Sequence, residues 1–300
     1  MTRTPDFWYT APDRPSFLAR LLTPLGWLYA AATARRLRRP GLVPDVPVIC
    51  IGNLVAGGAG KTPVAMALAG RLQGRGHAVH VVSRGYGGSL AGPVRVDPSR
   101  HSAAEVGDEP LLLAAFAPTW VARDRALGVQ AAIGGFGNGR AIPAGPLREP
   151  VSVGLARADV VLAVGDNAAQ AGFLEVWGAQ IRVPLVHGAL KVLETGMDWQ
   201  GQPILAFAGI ANPNRFFATL YDLGANVLRG EALADHAPLS PALLQRLEAE
   251  ATAKGAQLVT TEKDAVRLPL AWRSKVLTLV VRLAVEDWTA IDGKLKALDL

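Results

Sequence analysis

Apolar residues recur along the chain in two rhythms. Short unbroken runs alternate with longer stretches in which apolar positions return every three or four residues. The first rhythm reads as buried strands and the second as helices. Val48, Ile49, Cys50 and Ile51 form one such run, and a helical pattern follows over 64–75. Strands are expected at 77–83, 120–122, 158–164, 204–208, 225–229, 257–260 and 276–281, and helices at 111–116, after 212 and at 240–253. Between 175 and 195 the alternation of Val176, Ile181, Val183, Leu185, Val186 and Val192 predicts extended connecting strands. Strands and helices in turn predict an α/β fold whose main sheet is parallel.

Near the start, Phe17, Leu18, Leu21, Leu22, Leu25, Trp27, Leu28 and Tyr29 set a helical pattern over 16–39 that ends in arginines. Its uncharged run, 21–34, is 14 residues long, short of the roughly 20 needed to span a bilayer. An interfacial helix fits, with Trp27 and Tyr29 at headgroup depth and Arg35, Arg36, Arg38 and Arg39 meeting anionic lipid. Two other readings stand beside it. One is a signal peptide, with Ala32-Thr33-Ala34 as a cleavage site, although Arg20 interrupts its apolar region; the other is a helix packed on the core.

Between the run at 48–51 and the helix at 64–75 lies Gly52-Asn53-Leu54-Val55-Ala56-Gly57-Gly58-Ala59-Gly60-Lys61-Thr62-Pro63. Glycines there let backbone N–H groups turn toward phosphate oxygens, a lysine adds a point charge, and a threonine hydroxyl can ligate Mg²⁺. The pattern is G-x-x-x-x-G-K-[ST] with Val55 in place of its first glycine. It predicts a nucleoside triphosphate site made by Val55, Ala56, Gly57, Gly58, Ala59, Gly60, Lys61 and Thr62. The fold expected around it is a P-loop NTPase-like parallel sheet flanked by helices, with a smaller C-terminal α/β domain. The boundaries read as 1–40 for the N-terminal helix region, 41–174 for the nucleotide-binding core, 175–200 for linker strands and 201–300 for the smaller domain.

Composition narrows the partners. Half the residues are hydrophobic, enough for a sizeable core, and the net charge is +6 with a pI near 9.8. Aromatic residues are few and do not alternate with the basic ones, as a single-strand nucleic-acid platform requires. A membrane surface or a phosphorylated partner is therefore expected, and not nucleic acid. Cys50 stands alone, so no disulfide framework is possible, which suits a reducing compartment.

Two further stretches look chemical. Arg84-Gly85-Tyr86-Gly87-Gly88 follows a strand at its carboxyl end, where open α/β sheets bind ligands, and places Arg84 for a phosphate. Asp108-Glu109-Pro110 opens a helix. It reads equally as a cap and as a source of a general base or a Mg²⁺ ligand.

With these residues in view, the chain resembles the tetraacyldisaccharide 4′-kinases, the lipid A 4′-kinases of Gram-negative bacteria. The resemblance is carried by Gly57 to Pro63, Ser83 to Gly87 and Gly107-Asp108-Glu109-Pro110. It continues through Phe136-Gly137-Asn138-Gly139-Arg140, Pro143 to Glu149, Phe207-Ala208-Gly209-Ile210, Asp235-His236 and Thr260-Thr261-Glu262-Lys263-Asp264-Ala265-Val266. The family's phosphate loop also lacks the first glycine. The resemblance implies ATP-dependent phosphorylation, with Mg²⁺, of the 4′-hydroxyl of a tetraacylated glucosamine disaccharide 1-phosphate, the lipid A precursor. It implies peripheral attachment to the cytoplasmic face of the inner membrane through the N-terminal helix. It assigns Asp108 as base, paired with His236, beside Lys61 of the phosphate loop. Asn53, Arg84, Tyr86, Asn138 and Arg140 are the implied substrate-binding residues, and Thr62 is the implied metal ligand.

One departure stands out. The family carries an apolar strand ending in Asp-Asp-Gly between the Arg-x-Arg region and Phe-Gly-Asn-Gly-Arg. Here Arg123-Asp124-Arg125 runs almost directly into Gly134, so roughly 25–30 residues, about two strands with their loops, are missing. The lost aspartates are the family's Mg²⁺ ligands. Asp166, after the apolar run 160–164, is the local pattern closest to a replacement. The departure raises an alternative: a catalytically impaired member that binds nucleotide or lipid without turnover. A GTPase-like metallochaperone, with Thr261-Glu262-Lys263-Asp264 reading a base, is a third reading. Against it, Glu262 spoils the T-K-x-D spacing and the sequence has no His/Cys metal cluster.

Overall fold

The structure is a computed structural model that describes residues 5–10, 13–38, 47–52, 60–122, 155–210, 212–234 and 237–300. The chain divides into two compact units. One is built from Val79–Arg123 and Val192–Arg282, the other from Thr2–Ala78, Asp124–Lys191 and Leu283–Leu300.

The first unit holds strands β1 (Val81–Ser83), β2 (Val94–Arg95) and β3 (Thr119–Val121), with helices α3 (Ala103–Val106) and α4 (Asp108–Ala114) between β2 and β3. β3 is central, parallel to β1 and antiparallel to β2. The same unit holds a second sheet of strands β6 (Pro203–Ala208), β7 (Asn226–Ala232), β8 (Gln257–Thr261) and β9 (Val276–Leu279) in the order β7-β6-β8-β9, all parallel. β6 explains why its sequence is an unbroken apolar run. Ile204, Ala206 and Ala208 pack into one cluster with Phe216 and Leu220 of helix α6 (Pro213–Asp222). Leu205 and Phe207 pack into another with Leu244, Leu247 and Ala251 of helix α7 (Pro241–Ala253). A strand covered on both faces must be apolar at every position. Both helices are capped as their sequences dictate: Asn212 and Ser240 accept backbone N–H bonds, and proline opens each helix.

The second unit contains helix α1 (Phe17–Leu37) and helix α2 (Lys61–Gly74). It also contains strand β4 (Val161–Val164), helix α5 (Asn167–Trp177), most of strand β5 (Leu185–Val192), the end of strand β10 (Val281–Val285) and helix α9 (Thr289–Lys296). β5 is the central strand of the sheet β10-β5-β4 and runs parallel to β4.

Three elements differ from the pattern reading. The stretch expected as extended, 175–195, contains strand β5, but its first residues, 175–177, are the last turn of α5, which Asp166 caps and whose apolar positions Phe173 and Trp177 fall four apart, on one helical face. The last expected strand breaks at Val280 into β9 and β10, which belong to different sheets. The run at 48–51 joins no ladder among the described residues.

Candidate active site

Helix α2 begins where the phosphate loop should deliver it. Gly60 precedes it in the left-handed conformation, φ +76°, a turn that glycine makes without steric cost. The Val64 N–H then donates to the Gly60 carbonyl at 3.2 Å, closing the first turn. Lys61 and Thr62 occupy that turn, where the helix dipole and backbone N–H groups favour an anion. The other end of α2 is pinned to α9. Arg71 donates through Nε to Asp292 at 2.7 Å and through Nη2 to its other oxygen, Arg75 pairs with the same carboxylate at 2.7 Å, and Arg71 stacks on Trp288. Asn53, Val55, Ala56, Gly57, Gly58 and Ala59 lie outside the described residues. Cys50 is half-buried. Burial, and then the Asp159 carboxylate, push its thiol up to about 11, so it is a neutral core group.

Asp108 is assembled from further apart. It is the first residue of α4 and is 2% exposed. The Arg84–Gly88 segment lies directly on the residues before it: the Ser89 and Leu90 N–H groups donate to the Ala104 and Glu105 carbonyls at 2.9 Å. Gly85, Gly88 and Gly107 make the approach possible; a Cβ on Gly88 would stand 2.5 Å from the Glu105 carbonyl. Gly85 has φ +63°, and a Cβ there would overlap the Val121 side chain and stand 2.9 Å from the Val106 carbonyl. Gly107 has φ +89°, and its Cβ would come within 2.7 Å of the Tyr86 carbonyl. Arg84 and Tyr86 are exposed on either side of buried Gly85. Two motifs that the sequence separates by about a helix and a strand therefore form one surface.

A third motif closes on Asp108. After β8, Thr261 caps the short helix α8 (Glu262–Ala265) by accepting the Asp264 N–H. Lys263 Nζ stands 3.9 Å from Asp108 Oδ2 and 3.5 Å from Glu109 Oε1, and Arg267 Nε stands 3.9 Å from Asp108 Oδ2. Asp264 is fully buried. Its carboxylate accepts from the Gly209 N–H at 3.1 and 3.2 Å, from the Thr261 hydroxyl at 2.6 Å and from Arg267 Nη2. Arg267 Nη1 donates to the Ala237 carbonyl at 2.8 Å. Glu262 is engaged by Arg282 at 2.7 Å. A buried Asp264 held this way is not placed to read a nucleotide base, which removes the structural basis of the metallochaperone reading.

Of the residues expected at the site, Lys61 and Thr62 stand at the start of α2 in one unit, and Arg84, Tyr86 and Asp108 gather in the other. Asn138, Arg140 and His236 lie outside the described residues. Asp166 is committed to capping: its Oδ1 accepts the Ala169 N–H at 2.8 Å. Among the described residues no three His, Cys, Asp or Glu side chains gather as a metal site. The sequence reading missed Lys263 and Arg267 as neighbours of Asp108. Their four-residue spacing after a capping threonine puts both on one side of a turn, but only the tertiary fold shows which carboxylate they face.

Comparison with known proteins places the chain in a family. The family model for Tetraacyldisaccharide-1-P 4'-kinase (LpxK) matches residues 18–135 and 132–298. The chain is 55% identical to the tetraacyldisaccharide 4'-kinase of Dinoroseobacter shibae, over 99% of this chain and 97% of that one. It is 50% identical to that of a Jannaschia species over 97% of each. It shares its fold with LpxK from Aquifex aeolicus in complex with ATP, with a TM-score of 0.74 at 22% identity over 94% of this chain and 99% of that one. The first alignment runs over 328 positions against the 300 residues of this chain, so the relative carries at least 28 residues that this chain lacks. The two family-model segments meet at 132–135, inside the stretch where the sequence departs from the family pattern. The chain belongs to the tetraacyldisaccharide-1-P 4'-kinase family.

Proposed function

We propose that the chain transfers the γ-phosphate of ATP to the 4′-hydroxyl of a tetraacylated glucosamine disaccharide 1-phosphate, producing a lipid A precursor. Family membership over nearly the whole chain carries this reading. The described end of the phosphate loop fits the nucleotide: Gly60 is left-handed, and Lys61 and Thr62 lie in the first turn of a 14-residue helix. When bound, ATP supplies the phosphoryl group and Mg²⁺ offsets its charge. Lys61 and the N–H groups of that turn hold phosphate oxygens, and the Thr62 hydroxyl would ligate Mg²⁺. Val55, Ala56, Gly57, Gly58 and Ala59 complete the loop side. Asp108 takes the proton of the 4′-hydroxyl, with His236 as its partner. Arg84 and Tyr86, together with Asn53, Asn138 and Arg140, hold the disaccharide phosphate and sugar.

The test is transfer of radiolabelled phosphate from ATP to the lipid acceptor by the purified chain. Transfer that requires the 4′-hydroxyl supports the reading. Nucleotide binding without any transfer would overturn it and favour an impaired member, the alternative that the missing residues raise.

Helix α1 is the proposed membrane contact, and the attachment is peripheral, at the cytoplasmic face of the inner membrane. Among the described residues no helix is long and apolar enough to cross a membrane. The helix buries small residues, Ala19, Gly26 and Thr33, and exposes large apolar ones, with Phe17 at 81%, Trp27 at 70% and Leu28 at 68%. That is the reverse of a helix packed on a core, and it suits an interface beside exposed Arg35 and Arg38. Trp27→Ser with Leu28→Ser should weaken binding to vesicles containing anionic lipid at least ~10-fold, as expected for losing one to two buried apolar side chains. Unchanged sedimentation with vesicles would sink this assignment.

A further inference from the structure

We infer that the turn bearing Lys263 and Arg267 is a positioning brace for phosphoryl transfer: it aims the Asp108 carboxylate and ties the segment that follows His236 to the same frame. The inference rests on the roles proposed above for Asp108 and His236.

Three observations in one compact unit carry it. First, Asp108 is 2% exposed, and a carboxylate taken out of water needs cations nearby. Lys263 and Arg267 supply two, each 3.9 Å from Oδ2. At that separation they attract the carboxylate without taking one of its lone pairs in a direct hydrogen bond. Second, the turn cannot drift. The Val266 and Arg267 N–H groups continue the helical bonding of α8, and the Asp264 side chain is anchored to the Gly209 N–H and to Thr261. Third, the Arg267 guanidinium spends its other donors on distant backbone. Nη1 reaches the Ala237 carbonyl at 2.8 Å, and Nη2 reaches the Gly209 carbonyl at 3.3 Å besides Asp264. Ala237 is joined by one peptide bond to His236. A planar, five-donor guanidinium can hold several acceptors in one fixed geometry; an ammonium cannot. Lys263 and Arg267 are positioning residues on this reading, since they act through Asp108 and the 237 carbonyl.

The experiment is steady-state transfer of labelled phosphate to the lipid acceptor by the full chain. The variants are Lys263→Met, Arg267→Lys and Arg267→Met, each alone and combined with Asp108→Asn. A group displaced by about 1 Å costs on the order of 10²-fold, so Arg267→Met should lower kcat by about that factor while KM for ATP stays within about twofold. Arg267→Lys should recover only part of the loss. Lys263→Met, at a partly exposed position, should lower kcat by roughly tenfold. Combined with Asp108→Asn, each should add less than about threefold, because residues that act as a unit are not additive. A purely structural role would lower activity equally in both backgrounds, and that result, or a rise in KM at constant kcat, overturns the brace. If Arg267→Met does not fold, the Lys263→Met pair decides the matter alone. An inactive Asp108→Asn beside fully active Lys263 and Arg267 variants overturns only the brace. Full turnover in Asp108→Asn, or none in the unmodified chain, overturns the proposed mechanism and the brace with it.

Discussion

The phosphate-loop end of α2 and the surroundings of Asp108 are built in opposite ways. Gly60, Lys61 and Thr62 are consecutive, and one left-handed glycine with one helical turn presents them. Asp108 draws on residues 84–88, 104–107, 209, 237 and 261–267, which meet only because two sheets and several loops are already folded. A site of the first kind depends on local backbone geometry. One of the second kind depends on the stability of everything around it, so substitutions far from the chemistry should reach it.

The largest expected effects separate the two regions by what each variant loses. Lys61→Ala should lose nucleotide affinity and transfer together, because its proposed role is to hold phosphate oxygens in ground and transition states alike. Asp108→Ala should keep nucleotide affinity and lose transfer by roughly 10²–10⁴-fold, the usual worth of a general base. Calorimetric titration with ATP beside the transfer assay checks both. Loss of ATP affinity in Asp108→Ala would break the division.

How much of each region could be read beforehand follows from the same contrast. The start of α2 at Gly60-Lys61-Thr62 was legible because its residues are neighbours in sequence. So was β6, whose two-sided burial leaves an unbroken apolar run from Ile204 to Ala208. The kinship of Arg84 with Asp108 was legible only as two separate motifs. Their contact depends on Gly85 and Gly107 accepting backbone conformations and distances that a sequence does not display. Arg267 was invisible, since nothing in its neighbours says that its guanidinium reaches the 237 carbonyl. Only the last turn of α5, 175–177, was misread as extended, because Val176, Ile181 and Val183 mimic strand alternation; the cap at Asp166 and the packing of Phe173 and Trp177 override it, while 185–192 is the expected strand β5.

An intermediate effect tests whether the Asp108 region is as dependent on packing as this argues. Gly85→Ala places a Cβ against Val121 and 2.9 Å from the Val106 carbonyl, at φ +63°. The left-handed backbone costs about 1–2 kcal/mol and the crowding about 1–3 kcal/mol, so the unit should lose roughly 3 kcal/mol against denaturant. Transfer should fall with it, while ATP binding at Lys61 is retained. By contrast, Gly70, on the exposed side of α2, has open space around its Cβ position. Gly70→Ala should gain up to about 1 kcal/mol of helix propensity and leave both activities intact. Equal behaviour of the two substitutions would remove the distinction between a locally built and an assembled site.

The smallest effect asks whether the phosphate-loop helix also leans on distant residues. Asp292 on α9 receives Arg71 and Arg75 of α2. The hydrogen bond from Arg71, then the charges of both arginines, hold its carboxyl below the usual aspartate value of 3.8. A carboxylate whose folded value is lowered stabilises the fold above its unfolded value and ceases to do so as pH falls through the folded one. Asp292→Asn should therefore lower Tm by on the order of a degree or two near pH 7, since the pair is largely solvated. The gap between wild type and variant should stay level from about pH 8 to 5, begin to narrow as pH falls through the usual aspartate value of 3.8, and close only below the lowered folded value. Thermal unfolding across that range checks it. A gap that does not narrow at all as pH falls from about 5 to about 2 would mean that Asp292 acts through packing beside Trp288 and not through its charge, and α2 would then depend on the C-terminal helix much as Asp108 depends on its brace.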